Sequence, residues 1–373
     1  MLEEISLKRQ LAKDAAFSPP FCPNPACPKH VKPEPTFWYR FGTRPINRFP
    51  YTARRYCCKT CQRPFSGSYF SLGYRAKRWG HNKEIHRLHG LGVSKCEIGR
   101  QIEGSERMVR RRIIKMARWA LLKHASLTET LKIEEEIVYD GIENFAYSQY
   151  DINNLNHAVG KQTLFTYDFN LCPLNRKGRM SPEQVVRLNK IEHEHGRYPG
   201  NAIRTSTRRI FERLFAKAPK LVIYSDRHYQ YRRVLEIDMR DKPIEHVQVC
   251  SKVVRNYQNP LFAINNIDNQ ARHNLAAFKR ETIAFSKHSV AMLESFVLYM
   301  TQRNYMRPKF WKSHRADPLS SKRSPAMELG LTKKIEKFDD FFAEKIPLTH
   351  VKLNEDWLNL YLHRDPTSRR KIV

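Results

Sequence analysis

Three aspartates and four cysteines are the residues of this sequence whose types and spacing can do chemistry. Asp140 ends the run IVYD and Asp226 ends LVIYSD, so each carboxylate stands at the tip of an apolar, β-branched stretch. That is how α/β folds bring acids to one edge of a sheet. Asp268 stands near the start of a helical pattern, four residues before Arg272. Carboxylates gathered this way are hard oxygen ligands for Mg²⁺ or Mn²⁺, and two such ions activate a hydroxyl nucleophile and stabilise the leaving 3′-oxygen of a phosphodiester. Asp140, Asp226 and Asp268 are therefore the expected catalytic metal ligands, with Glu281 as the alternative third acid. A turn or N-cap aspartate explains any one of them taken alone; the shared context of the two strand ends favours a site.

The cysteines point to a second metal. Cys22 and Cys27 are spaced C-x4-C, and Cys58 and Cys61 C-x2-C, each pair in a Pro- or Lys-rich turn. This pattern suits tetrahedral Zn²⁺, which lets a segment too small to own a core fold around the ion. His30 and Cys57 stand close enough in sequence to compete as ligands. The first thirteen residues are charged and amphipathic rather than an apolar leader. A reducing, cytoplasmic setting is therefore expected, with thiolate ligands rather than disulfides.

The elements that must position these groups follow from charge and periodicity. Among 373 residues, 67 Lys and Arg oppose 37 Asp and Glu, a formal net charge of +30 that makes a polyanion, and nucleic acid first, the expected partner. No apolar run reaches the roughly 18–20 residues that span a bilayer. Residues 83–124 carry a helical period broken at GLGVS, with Ser94 and Ser105 as N-caps. This is helix-turn-helix spacing, with 105–114 as recognition helix and Arg110, Arg111 and Arg112 placed to meet phosphates or guanine edges. Beyond an acidic linker (126–136), strands are expected at 137–140, 164–170, 221–226 and 245–254. Helices are expected at 182–195, 204–215 and, as one long segment, 264–303. Strand-acid, strand, helices, strand-acid, strand and helix-with-acid is the order of an α/β ribonuclease H-like fold. The reading is multidomain: a zinc ribbon (1–80), an α-helical helix-turn-helix (81–130), a ribonuclease H-like catalytic domain (131–310) and a basic tail (311–373).

The ordered motifs RRYCCKTCQRPFS, GVSKCEIGRQIEGS, YDGIENF, IYSDRHYQY and KRETIAFSKHS resemble those of DDE-class transposases of bacterial insertion sequences, especially relatives of insertion sequence one. SPAMELGLTKK is similar to a C-terminal motif of several transposase groups. The resemblance implies Asp140 and Asp226 as the first two ligands, and an acid before the FSK block, here Asp268 in INNIDNQ, as the third. It further implies a bacterial, nucleoid-associated enzyme that binds the terminal inverted repeats of a mobile element. Such an enzyme cuts the element's ends, joins them to target duplex, and acts as a dimer or larger synaptic assembly. Arg272, Lys279, Arg280 and Lys287 are expected on phosphates.

Overall fold

The computed structural model describes residues 17–46, 52–76, 80–279, 282–313 and 317–364. They form two compact units that cut across the sequence order. One takes the described residues up to Lys83 together with Asp339–Lys352; the other takes Glu84–Phe338 and the residues from Leu353 onward.

The smaller unit is a three-stranded antiparallel sheet in the order β1 (Trp38–Pro45), β2 (Thr52–Cys58), β3 (Pro64–Ser66). One buried cluster is Cys22, Cys27, Phe37 and Cys58, with Trp38, Cys61 and Phe65 packed around them. Phe21, Tyr56, Phe70, Phe341 and Phe342 are buried elsewhere in the unit. A segment from the far end of the sequence packs on it. His350 Nε2 lies 2.6 Å from the His30 carbonyl, and the Lys345 ammonium stands 3.3 Å from the centroid of the Tyr69 ring.

In the larger unit, α1 (Asn82–His89), α2 (Lys95–Gln101) and α3 (Glu106–Thr128) follow the expected helix-turn-helix order. Ser94 Oγ accepts from the Glu97 amide and Ser105 Oγ from the Met108 amide, so both expected N-caps form. Helix α3 runs well past the 105–114 segment because Val109, Ile113, Met116, Ala120 and Leu121 continue one buried stripe.

The principal sheet has five strands: β4 (Ile137–Phe145), β5 (Ile152–Gly160), β6 (Thr166–Leu174), β7 (Leu221–Asp226) and β8 (Ile244–Val249). Their order is β6-β5-β4-β7-β8, antiparallel from β6 to β4 and parallel from β4 to β8. Helices α4 (Pro182–His195) and α5 (Ala202–Phe215) connect β6 to β7, a crossover that a parallel neighbour of β4 requires. After β8 come α6 (Phe262–Asn274), α7 (Ser289–Thr301) and α8 (Glu355–Tyr361). Beyond α7, Asn304 exchanges two 3.0 Å hydrogen bonds with the Thr166 backbone, closing the start of β6.

Four features depart from the sequence reading. Strand β5 was not expected, because Asn153, Asn154 and Asn156 are poor strand formers. Inside the sheet their amides pair instead: Asn154 Nδ2 donates to Asn156 Oδ1 at 2.7 Å, and Asn156 Nδ2 to Asn170 Oδ1 at 3.1 Å. The long helix expected at 264–303 is two helices. Between them Thr282 Oγ1 takes the Ala284 amide and the Ser286 carbonyl accepts from the Tyr147 amide, bonds that compete with helix continuation. The last strand stops at Val249 rather than residue 254. The expected C-terminal tail is folded, with Trp357 buried and its Nε1 donating to the Phe169 carbonyl at 3.1 Å.

A buried ion network fastens α8 to the sheet. Arg213 of α5 gives Nε to Asp168 Oδ2 at 2.6 Å and Nη1 to Asp356 Oδ2 at 2.9 Å, while Arg209 meets Asp356 Oδ1 at 2.8 Å. Burial pushes the Asp168 carboxyl above its ordinary range and the Arg213 charge pulls it back. Arg213→Met leaves Asp168 buried and unpaired, so denaturant unfolding of the larger unit is expected to show a loss of roughly 3–5 kcal/mol.

Candidate functional site

The four cysteines Cys22, Cys27, Cys58 and Cys61 bring their sulfurs within 4.8 Å of one another. Cys22 and Cys61 Sγ are 3.7 Å apart, and Cys27 and Cys58 Sγ 3.8 Å. A tetrahedron with Zn–S bonds of about 2.3 Å has edges of about 3.8 Å, so the spacing fits Zn²⁺ and is compatible with a zinc ribbon. The two competing ligands are occupied elsewhere: His30 Nδ1 lies 2.6 Å from the Cys22 carbonyl and Nε2 2.5 Å from Thr349 Oγ1. Cys57 Sγ points to Gln62 Oε1. Burial raises the Cys22 thiol far above its ordinary value, so binding a cation here must displace protons.

The three expected aspartates all lie in the larger unit, with Asp226 and Asp268 near enough to Asp140 to act on its carboxyl. Asp140 is the fourth residue of β4, Asp226 the last of β7, and Asp268 lies in the second turn of α6. The β4–β7 pairing aligns Val138 with Tyr224, and the same register carried two residues on sets Asp140 level with Asp226. Gly141 lets β4 lie close to its neighbour, since a Cβ there would come within 2.1 Å of the Asn154 amide. Backbone amides hold two of the carboxylates: Gly141 N donates to Asp140 Oδ1 at 2.7 Å and His228 N to Asp226 Oδ1 at 2.9 Å.

Electrostatics give the site its character. Burial, then the charges of Asp268 and Asp226, push the Asp140 carboxyl up to about 7, against the pull of the Gly141 amide and His157. An aspartate in the unfolded chain ionises near 4. The folded site thus keeps its proton longer, and this carboxyl disfavours the folded state increasingly as pH rises from about 4 through 7. A divalent cation would remove that penalty. Asp268 Oδ1 is buried without an aligned hydrogen bond. In chemical type, carboxylate oxygens are the donors that a hard divalent ion such as Mg²⁺ takes.

His157, on the strand that sequence reasoning missed, belongs to this cluster. It is the direct cross-strand partner of Asp140, and its Nε2 lies 2.9 Å from Asp268 Oδ1. The alternating Asn–His pattern of INNLNHAVG was its only trace in sequence. His228 serves Asp226 through its backbone amide; its side chain instead caps Gln230 N and stacks on Tyr229.

The expected basic residues divide. Arg110 and Arg111 are exposed on α3, whereas Arg112 is 7% exposed, on the inward side with Val109, Ile113 and Met116. The helical period that gives α3 its packing stripe carries Arg112 inside, which corrects its expected place on DNA. Lys279 and Lys287 are exposed, Lys287 over the Phe285 ring, and Arg272 Nη2 reaches the Glu143 carbonyl at 3.4 Å. Arg280 and the alternative acid Glu281 lie outside the described residues.

Among the described residues no helix is long and apolar enough to cross a membrane. Compared with models of known protein families and with curated protein sequences, the chain has no match.

Proposed function

We propose that this chain is a metal-dependent DNA strand transferase, a transposase of DDE class with a ribonuclease H-like catalytic unit. The observation that carries the reading is the placement of Asp140, Asp226 and Asp268 on two adjacent strands and one helix, with the Asp140 carboxyl pushed up to about 7 by burial and then by the charges of Asp268 and Asp226. The strand order β6-β5-β4-β7-β8, with three antiparallel strands followed by two parallel ones, supports the fold assignment. The exposed Arg110 and Arg111 at the start of a capped helix, and a net charge of +30, support DNA as partner.

Divalent cations held there would supply Lewis-acid activation of the attacking hydroxyl and charge stabilisation at the leaving oxygen. The chain's own residues do the rest. The amides of Gly141 and His228 orient two carboxylates, and β4 and β7 present them side by side. Lys279 and Lys287 are placed to neutralise phosphates of the bound strand, positioning it without reading its sequence. The zinc-binding unit and the helix-turn-helix recognise the element's ends, and two chains act together because two ends must be joined.

Strand joining is the discriminating activity. With a duplex that carries the DNA flanking the coding sequence, pre-cut to expose a 3′-OH, Mg²⁺ and the protein are expected to give products covalently joined to a second duplex. Hydrolysis without joining would reassign the protein as a nuclease, and binding without either as a DNA-binding regulator.

A further inference from the structure

His157 is a polar side chain that the proposed chemistry does not yet use. Its ring is 0% exposed in the middle of β5, edge-on to Phe296 with centroids 5.5 Å apart. A buried imidazole is a costly filler where a leucine or phenylalanine would pack without a polar atom to satisfy. Its Nε2 is 2.9 Å from Asp268 Oδ1, yet the N–H is not aligned on that oxygen, and neither atom has a hydrogen-bond partner. Each is thus the nearest answer to the other's unmet demand. The backbone beside Asp268 is anchored independently, because the Tyr299 hydroxyl donates to the Ile267 carbonyl at 2.9 Å.

We infer that His157 is the positioning residue for Asp268: its Nε2–H holds one carboxylate oxygen, which leaves the other for the divalent cation shared with Asp140 and Asp226. This rests on the metal-dependent reading of the three aspartates. A short aspartate on a helix has two rotatable bonds with which to miss a cation, and a fixed donor on the adjacent strand removes one of them. Partners of this kind commonly set metal affinity by about 10–100-fold.

Amide side chains separate this role from packing. Glutamine places its amide nitrogen where imidazole carries Nε2, and asparagine where it carries Nδ1. Mn²⁺ binding, titrated by electron paramagnetic resonance on the zinc-loaded full chain, is expected to lie within about threefold of wild type for His157→Gln. For His157→Asn it is expected to weaken about 10–100-fold. His157→Met, an apolar side chain of similar length, is expected to weaken it equally and covers the case in which the asparagine variant fails to fold. In the Asp268→Asn background, His157→Met should weaken binding no further, because the interaction it removes is already gone. Wild-type affinity in His157→Met, equal losses in the glutamine and methionine variants, or losses that multiply with Asp268→Asn overturn the inference. Binding that Asp226→Asn leaves unchanged overturns the metal site itself. Asp226-sensitive binding that ignores His157 overturns only the role given to His157.

Discussion

Asp226→Asn is expected to reduce Mg²⁺-dependent DNA strand cleavage by roughly 10³-fold or more while leaving duplex binding within about twofold of wild type. Asparagine keeps the shape, and its amide oxygen still accepts from the His228 backbone N–H that now holds Asp226 Oδ1 at 2.9 Å. What is lost is one negative charge at the tip of β7, level with Asp140. Because Asp226 also helps raise Asp140, the variant should relax that carboxyl towards its ordinary range, which lessens proton competition at Asp140 but does not replace the missing charge for a cation. Duplex binding is expected to persist because it draws on α3, where Arg110 and Arg111 are exposed on a helix capped by Ser105. Cleavage and gel-shift assays on the same preparations check both halves. Undiminished cleavage in the variant removes Asp226 from the chemistry.

The second large effect concerns the cysteine cluster. Removing Zn²⁺ with a chelator, or replacing Cys58 by Ser, is expected to unfold the smaller unit while the larger one stays folded. The buried cluster around Cys58 is Phe37 and the cysteines themselves, with Trp38, Cys61 and Phe65 packed on it. Structural zinc supplies about 10–16 kcal/mol of apparent binding energy in small units, a large share of what holds such a unit folded. Elemental analysis should find one zinc per chain for this cluster. Amide hydrogen exchange after chelation should lose protection over the strands Trp38–Pro45 and Thr52–Cys58 while that of the five-stranded sheet is retained. Continued protection of β1 and β2 without metal would show that the cysteines are structural thiols.

The two chemical clusters were legible because their signals are local. A pair of CxnC turns and a carboxylate at the end of a β-branched run can be read from a few adjacent residues: the four cysteines do cluster, and Asp226 and Asp268 lie near enough to Asp140 to raise its carboxyl. What the sequence hid depends on distant partners. Asn153, Asn154 and Asn156 look like turn residues until Asn170 is placed beside them, and only then is β5 a buried strand. His157 was missed for that reason, being on a strand whose propensity argued against it. Arg112 looked like its two neighbours because net charge ignores helical phase. The break between α6 and α7 is made by hydrogen bonds of 282–286, one of them to the turn after β4, against a periodicity that runs straight through.

The cysteine unit is completed by segments far apart in the sequence. Its cysteines lie between residues 22 and 61, but His30 and Tyr69 rest on Thr349, His350 and Lys345. The larger unit likewise waits for Trp357. A ribosome adding about 5–20 residues per second delivers those segments roughly fifteen seconds to a minute after Cys61 has emerged. A chain that has not reached those residues therefore carries a half-built cysteine unit and a five-stranded sheet without Trp357 on it. Synthesis itself thus acts as a checkpoint: neither unit becomes whole until residues 339–357 have been made.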